Sequence, residues 1–534
     1  MKVILFIIYS ISFSQIPFNY KLYQNSDLDR FESISDDGFA SNGIIDIRGY
    51  GNNLLFFGTS GGLSFLEINS LSDIQYGHYN ISNLPRGGNP SLMINNNVIA
   101  VSGVVDTLTP TGIEPKGTGV SYSRDGGESW FFIAQPIDPI PNEEDNGFQT
   151  ISWGDQNIQS LSVTTDIDNV CYDLAIGPQY IYTANWAGGI RRYNHLPSED
   201  SKSWEIIPLP QDNDLDLYCG NIDENNYKIN PLDPADGGNH NHKGFSVYVI
   251  GDTLWAGTAA GINKGIISGD CINWIRHYSS WLDNISGNWV IGFTHQDFDD
   301  YTRLWAITWA TQFPETNALS YTDNGGETWH ISYPLGNNSG KVYNLNVDGD
   351  RIWASTELGL YLSENGTNWE KYERPIDSQT GEEILSESMY TSYYSSHHLS
   401  LFVGTDDGLA ITNNNGIDWT IERFYNSAND QLEENIFSVY PNPFYINDMN
   451  KVGNNGHVRF IYLSPSNALG DIDIFDFSMD KVKHLDIAYS IGSDQVESIW
   501  NGRNERGNQV VNGVYFCRLN LNDQYYWTKL VVIN

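Results

Sequence analysis

Aromatic, acidic and histidine side chains lie in or beside four long segments of the chain, and they have the types that bind ligands. The segments are residues 104–116, 131–169, 205–245 and 309–317. An indole ring next to a carboxylate suits a sugar or peptide, because the ring stacks on apolar surface while the carboxylate accepts hydrogen bonds. The candidate binding residues are Trp153, Asp155, Trp186, His240, His242 and Trp309. The alternative, that these segments only pack on one another, has equal weight.

Two short patterns have the composition of metal ligands. His240 and His242 place two imidazoles on one side of an extended segment, and Asp233 or Asp236 could complete the set. Two ligands with no third one fixed are a weak signal, and we predict no metal site there. The run Asp212, Asp214 and Asp216 resembles the start of a calcium loop but lacks its later Gly and Glu. Calcium at this run is a weak candidate, and we predict no other cofactor.

The stretch Ser123-Arg124-Asp125-Gly126-Gly127-Glu128-Ser129-Trp130 could supply a catalytic acid or stabilise a turn. Degraded copies end at Trp204, Trp274, Trp329, Trp369 and Trp419, and their third positions hold Glu199, Gly269, Asn324, Glu364 and Asn414. A catalytic acid would not be expected to become Asn or Gly across copies, whereas a residue that accepts backbone hydrogen bonds could. We therefore predict a structural role for Ser123, Asp125, Gly127, Trp130, Asn324, Trp329, Asn414 and Trp419.

The elements that position these residues repeat along the chain. Seven segments share an apolar strand that ends near Gly-Thr and is followed by Gly-Leu or Gly-Ile; they begin near residues 54, 98, 181, 254, 304, 352 and 401. Thr258, Thr308, Thr356 and Thr405 lie 50, 48 and 49 residues apart. A period near 50 residues with four short strands is typical of propeller blades, which must close into a ring to bury both faces.

Two resemblances indicate the same fold. The Trp windows resemble the Asp-box, or BNR, repeats of β-propellers, and the strand motifs resemble the propeller repeats of two-component sensor proteins. Together they imply an all-β chain with a seven-bladed β-propeller over residues 40–430, although six or eight blades remain open. Neither resemblance implies an active site.

The last hundred residues have a different pattern. The motifs are Phe437-Ser438-Val439-Tyr440-Pro441-Asn442-Pro443-Phe444, then Trp500 to Gly507, Val510 to Phe516 and Lys529 to Ile533. Residues 431–534 resemble the C-terminal sorting domain of type IX secretion cargo, which is a small Ig-like β-sandwich; Asn501 departs from the commoner Asp. The resemblance implies export across the outer membrane of a Bacteroidetes-like bacterium, with the type IX machinery as partner. The alternative is a purely structural Ig-like module.

The N-terminus and the net charge bear on location. One lysine, an apolar run from Val3 to Ile11 and small residues predict a signal peptide over residues 1–14, followed by a lead segment over residues 15–39. No later stretch is long and apolar enough to span a membrane. The formal net charge of −38 excludes binding to nucleic acid phosphates. We therefore expect a protein that passes through the periplasm and is secreted or held at the outer cell surface.

Four cysteines are too few for a disulfide scaffold, although export would permit bonds. Cys171 enters the third repeat from the side of the long segments, and Cys219 lies in one of them. We predict that any disulfide joins these two residues.

Three classes of function fit these observations. The first is an exported, non-catalytic propeller that binds an extracellular glycan or protein. The second is a glycoside hydrolase, since Asp-boxes occur in sialidases and in xyloglucan-cleaving propellers. A sialidase-like site needs an arginine clamp, whereas Arg191 and Arg192 are adjacent and face opposite ways in a strand. The third is a sensor, which would normally continue into a membrane span. We favour the first and keep the hydrolase as the alternative.

Overall fold

A computed structural model describes residues 38–70, 73–110, 112–139, 147–167, 169–196, 203–279, 284–336, 340–424, 437–447, 450–453, 455–463, 470–487 and 495–533. The predicted signal peptide and most of the lead segment lie outside these residues. No helix in these ranges is long and apolar enough to cross a membrane.

Seven antiparallel sheets follow one another along the chain. Each has four consecutive strands in sequence order, and the fourth sheet carries one further strand at its outer edge. The first four sheets consist of β1 (Ile44–Tyr50), β2 (Leu54–Thr59), β3 (Leu63–Ser70) and β4 (Asp73–His78); β5 (Leu92–Asn95), β6 (Val98–Thr109), β7 (Gly112–Ser123) and β8 (Phe131–Ile133); β11 (Cys171–Ile176), β12 (Tyr180–Asn185), β13 (Gly189–Asn194) and β14 (Glu205–Ile207); β17 (Gly244–Ile250), β18 (Thr253–Thr258), β19 (Gly261–Ser268) and β20 (Cys271–His277).

The other three sheets of this series end in outer strands of two or three residues. They consist of β21 (Trp289–Asp297), β22 (Thr302–Trp309), β23 (Ala318–Thr322) and β24 (His330–Ser332); β25 (Val342–Asp348), β26 (Arg351–Thr356), β27 (Gly359–Ser363) and β28 (Glu370–Lys371); β29 (Met389–Ser395), β30 (Ser400–Thr405), β31 (Leu409–Thr412) and β32 (Thr420–Glu422).

The seven first strands contact one another in a closed cycle, from β1 through β5, β11, β17, β21 and β25 to β29 and back to β1. A buried apolar cluster fills each gap between neighbouring sheets, since every sheet buries side chains on both faces. Representative pairs across the seven gaps are Phe56 and Ile99, Ala100 and Leu174, Tyr182 and Val247, Trp255 and Leu304, Ile307 and Val342, Trp353 and Val403, and Phe402 and Leu55. The predicted all-β propeller fold is confirmed.

Two of the long segments form an added module beside the third and fourth sheets. Strands β9 (Phe148–Trp153) and β10 (Gln156–Leu161) form a hairpin that β16 (Lys228–Ile229) extends, and β15 (Asp216–Leu217) pairs with β20 at the outer edge of the fourth sheet. Two 3-10 turns, Pro234–Asp236 and His240–His242, precede β17. The long segment at residues 104–116 forms no separate module and only lengthens the β6–β7 hairpin.

The C-terminal residues form two sheets around one core that includes Phe460, Ile474, Trp500 and Leu530. The three-stranded sheet contains β33 (Phe437–Tyr440), β37 (Val458–Leu463) and β40 (Gln495–Trp500). The five-stranded sheet contains β34 (Phe444–Tyr445), β38 (Gly470–Phe475), β39 (Lys481–Asp486), β41 (Gly513–Leu521) and β42 (Gln524–Ile533). A small hairpin of β35 (Lys451–Val452) and β36 (Asn455–Gly456) contacts the connection that leads into the seventh propeller sheet, where Glu387 N donates to Lys451 O (2.9 Å).

Candidate functional site

The turn at Ser123–Trp130 lies at the end of the ring opposite the long segments, between β7 and β8. Asp125 accepts hydrogen bonds from Ser129 N (2.9 Å) and Ser123 Oγ (2.7 Å), and Ser123 Oγ accepts one from Gly127 N (2.8 Å). The bonds from Ser129 and Ser123 lower the pKa of Asp125 to about 2. The buried Trp130 donates its indole N–H to Gly127 O (3.0 Å). The carboxylate therefore serves as an acceptor for its own turn.

The copies use the same bonds with neutral amides. Asn324 Oδ1 accepts from Thr328 N (2.9 Å), and Asn414 Oδ1 accepts from Asp418 N (3.0 Å). In the sixth sheet Asn365, not Glu364, plays this part, since its Oδ1 accepts from Asn368 N (2.8 Å). That copy is one residue shorter before its Trp, which the eight-residue alignment missed. The window ending at Trp274 is instead a two-residue hairpin at Gly269, and the window ending at Trp204 is largely outside the described residues.

The start of each first strand aims side chains at the axis of the ring. Six of the seven first strands have a register shift near their first residue, and such bulges redirect side chains. At these bulges the pairing register skips Ile45, Tyr172, Phe245, Ile291, Tyr343 and Tyr390. Tyr172, Phe245, Ile291 and Tyr390 belong to one buried cluster. Aliphatic and aromatic side chains therefore fill the axis of the ring at the face that carries the long segments. We call this face the insertion face.

Polar residues follow these bulges and line the axis below the aromatic layer. Asp46, Asp173 and Asn344 each accept a hydrogen bond from the backbone N–H of the next residue, at 3.0, 3.0 and 2.7 Å. Arg48 Nη2 donates to Asp46 (3.2 Å). Burial opposes the charge of Arg48, but Asp46 and Asp173 outweigh it and raise its pKa. The cavity they line has a volume of about 30 Å³, enough for a water molecule.

Three of the predicted binding residues are buried structural residues, so their assignment to a ligand site is wrong. Trp153 is 2% exposed inside the added module, where Arg192 lies over its ring (4.9 Å). Trp309 is 1% exposed and donates its indole N–H to Val342 O (2.8 Å). His242 is 2% exposed, and its Nδ1 accepts from Asn230 N while its Nε2 donates to Leu209 O. Burial lowers the pKa of His242 to about 4, so the imidazole is neutral.

The Asp212 run and the histidine pair do not gather as metal ligands. Asp212 accepts hydrogen bonds from His240 N (2.9 Å) and Asn241 N (2.8 Å), which ties the run to the second 3-10 turn. That turn also separates His240 from His242, so the extended geometry expected for them is wrong. Within the described ranges, Asp471, Asp473 and His484 in the C-terminal domain are the one group of three potential ligands. Arg518 and Lys481 already pair with Asp473 there. Calcium at the Asp212 run stays a prediction.

The predicted disulfide is also wrong, because the structure pairs Cys219 with Cys271. The pairing of β15 with β20, with Leu217 opposite Trp274, carries Cys219 around the edge of the fourth sheet to the β19–β20 turn. Cys171 is buried at the start of β11, and its Sγ donates to Asp173 O (3.4 Å). The bond therefore fastens the added module to an outer strand.

Two predicted residues, Trp186 and His240, are linked through Lys243 and Asp233 on the insertion face. Trp186 stacks on Phe245 with ring centroids 5.2 Å apart. Lys243 Nζ lies over the Trp186 ring, 5.0 Å from its centroid. Lys243 also pairs with Asp233, and His240 Nε2 lies 3.5 Å from the same carboxylate. We call Trp186, Asp233, His240 and Lys243 the insertion-face patch. Sequence reasoning missed Lys243, although it directly follows the histidine pair; Asp155 lies apart, at the exposed β9–β10 turn.

Other ionisable groups on this face serve as structural ties. Asp138 is 4% exposed and pairs with Arg191 (2.8 Å), and it accepts from Thr164 N (3.0 Å). Burial would raise the pKa of Asp138, but Arg191 and Thr164 lower it. Glu315 accepts from Thr311 N (2.7 Å) and Asn288 N (3.2 Å). Hydrogen bonds and an ion pair occupy these carboxylates, which suits anchoring and not proton transfer.

No protein-family model matches the chain, and no curated protein matches it. Solved propeller structures are similar at low identity. PorZ, an essential surface component of the type IX secretion system of Porphyromonas gingivalis, is 13% identical with a TM-score of 0.28, covering 92% of this chain and 66% of PorZ, slightly under two thirds of its length. YCF48 bound to D1 peptide is 14% identical with a TM-score of 0.39, covering 70% and 93% of the two chains. Virginiamycin B lyase of Staphylococcus aureus is 11% identical with a TM-score of 0.36, covering 69% and 94%.

Proposed function

We propose that the protein is an exported, non-catalytic propeller that binds an extracellular glycan or protein through its insertion face. The observation that carries this proposal is the use of acidic and imidazole groups as structural ties, seen at Asp138, Asp212, Glu315 and His242. An acid–base pair for hydrolysis needs carboxyl groups that can reach substrate and exchange protons. The insertion-face patch instead offers fixed charges beside an indole, an arrangement that suits recognition.

Two sequence patterns support a proposal on location. We propose that residues 1–14 direct entry to the periplasm and that residues 431–534 engage type IX secretion machinery. The support is the pattern of the N-terminal run and the ordered motifs of the C-terminal domain. Fusion of residues 431–534 to a periplasmic reporter in a type IX-competent bacterium should move the reporter to the medium or cell surface. Retention in the periplasm would leave the domain with a structural role only.

Glycan and peptide arrays probed with the full chain test the binding function. The double variant Asp233→Ala/His240→Ala removes two exposed polar groups of the insertion-face patch and should abolish the strongest signals. Glu128→Ala, an exposed substitution on the opposite face, is the matched control and should bind as the wild type does. Reducing-sugar release should be absent on every bound polysaccharide, and turnover on any of them would replace the proposal with the hydrolase alternative.

A further inference from the structure

A second concave site lies between the sixth and seventh sheets, away from the insertion-face patch. Its cavity has a volume of about 300 Å³, at the lower end of the range for small-molecule sites. It opens at the β26–β27 turn and at the connection from β28 to β29. Both of these loops lie on the insertion face of the ring.

The inner part of this cavity is apolar. Leu360, Met389 and Val403 line it and are 2%, 3% and 0% exposed. Trp419 forms a wall, and its orientation is fixed because its indole N–H donates to Gly416 O (3.2 Å). Tyr372 meets that indole edge-on with ring centroids 6.1 Å apart. The apolar interior therefore suits a small aromatic group that packs against the Trp419 ring.

The rim of the cavity carries two cations. Arg374 Nη2 donates to Glu383 (2.6 Å), but Arg374 Nε is buried and has no hydrogen-bond acceptor in the described part of the chain. A buried donor without an acceptor costs free energy, and a guanidinium is well matched to a carboxylate. Lys371 adds an exposed ammonium at the same rim.

The carboxylates at the rim do not meet this need. Glu387 Oε1 accepts from Gly453 N (3.1 Å) of the C-terminal domain. The other rim carboxylate, Glu373, is exposed to solvent. An acceptor brought in by a ligand could reach both Arg374 and Lys371, while the apolar part of the ligand occupies the interior.

We propose that this cavity binds a small arylalkyl carboxylate, with its ring in the apolar interior against Trp419 and its carboxylate at Arg374 and Lys371. The site is independent of the insertion-face patch and of the proposed ligand there. The connection from β28 to β29 also contacts the C-terminal domain through Glu387 and Lys451, so the occupied cavity borders the interface between the two domains.

Isothermal titration of the full chain with 3-phenylpropionate tests the proposal, with 3-phenylpropionamide and 2-phenylethylamine as uncharged and cationic analogues. We expect one-to-one binding of the carboxylate and at least about tenfold weaker binding of both analogues, because a charge-assisted hydrogen bond is lost. Lys371→Met and Arg374→Gln should each weaken binding of the carboxylate about tenfold.

A matched variant makes the result decisive. Lys228→Met, an exposed substitution on the added module, should bind 3-phenylpropionate with wild-type affinity. Lys371 is exposed, so Lys371→Met tests the site even if Arg374→Gln does not fold. The proposal is overturned if none of the three compounds binds, if the amide binds as tightly as the carboxylate, if Lys371→Met binds like the wild type, or if Lys228→Met abolishes binding.

Discussion

Asn42 and Phe424, 382 positions apart, are joined by a pair of hydrogen bonds. Asn42 Nδ2 donates to Phe424 O (2.8 Å), and Phe424 N donates to Asn42 Oδ1 (2.7 Å). The Asn42 side-chain amide thus pairs with both backbone groups of Phe424, which follows the last strand of the seventh sheet. A neighbouring β-strand would satisfy the same two groups. Each described propeller sheet takes its four main strands from one continuous stretch of chain, so this clasp ties the two ends of the ring without an exchanged strand.

Replacement of Asn42 should loosen the ring. Asn42→Ala leaves the Phe424 backbone groups unpaired and should cost about 2–3 kcal/mol of unfolding free energy. Asn42→Asp should cost a similar amount, since a carboxylate cannot donate to Phe424 O. Urea unfolding measures both, with the exposed Asn52→Ala as control. Equal stability of Asn42→Ala and Asn52→Ala would contradict a role in closure.

The turn at Asp125 should tolerate an amide but not a methyl group. Asp125→Ala removes the acceptor for Ser129 N and should cost about 1 kcal/mol. Asp125→Asn should stay close to the wild type, because Asn324 and Asn414 hold equivalent turns. Thermal unfolding of the two variants separates the interpretations. A loss of similar size in both variants would mean that the negative charge itself matters.

The disulfide between Cys219 and Cys271 should stabilise the added module. It spans 52 residues, and the loss of such a crosslink costs about 4 kcal/mol in the chain-entropy model. Cys219→Ala should therefore increase proteolysis of residues 203–243, whereas Cys171→Ser should leave the crosslink intact. Mass spectrometry of a non-reducing digest should find the two peptides joined, and a Cys171–Cys219 peptide would contradict the structure.

A buried ion network joins the C-terminal domain to the seventh sheet. Arg459 donates to both oxygens of Asp407, at 2.9 and 2.7 Å, and Arg423 donates to the same carboxylate (3.1 Å). Arg459→Met leaves that carboxylate with Arg423 as its one cationic partner, beside the Leu385 N–H (2.7 Å), and should cost about 3–5 kcal/mol. Calorimetry should then show two unfolding transitions where the wild type shows one. Arg506→Met, at an exposed turn of the same domain, should not change the profile.

Asp406 next to this network predicts a pH dependence. It is 4% exposed, and burial raises its pKa to about 6. Since the folded pKa exceeds the unfolded one, this group favours folding at low pH, and that contribution is lost as the pH rises from about 4 to 6. Asp406→Asn should therefore be more stable than the wild type by about 2–3 kcal/mol at pH 7, with a smaller difference at pH 4. Urea unfolding across this range measures the difference, and a constant difference would contradict the shift.

The sequence predicted local features well. The turn at Ser123–Trp130 needs only bonds within eight residues, so the residue types and spacing contain the information. The strand repeat likewise follows from apolar periodicity and Gly-Thr endings, and the ring follows because a single sheet cannot bury both faces. The exception was Asn365, where a one-residue deletion changed the acceptor.

Contacts between distant residues depended on the tertiary structure. Trp153 and Trp309 have the composition of ligand-stacking residues, but the packing of the added module and of the fifth sheet buries them. Cys219 meets Cys271, not Cys171, because β15 crosses to the edge of the fourth sheet. The Asn42–Phe424 clasp and the Asp407–Arg459 pair exist only when the ring has closed and the C-terminal domain has docked. The residue types and spacing thus determined the strands and turns, whereas packing decided which polar and aromatic side chains remain available for binding.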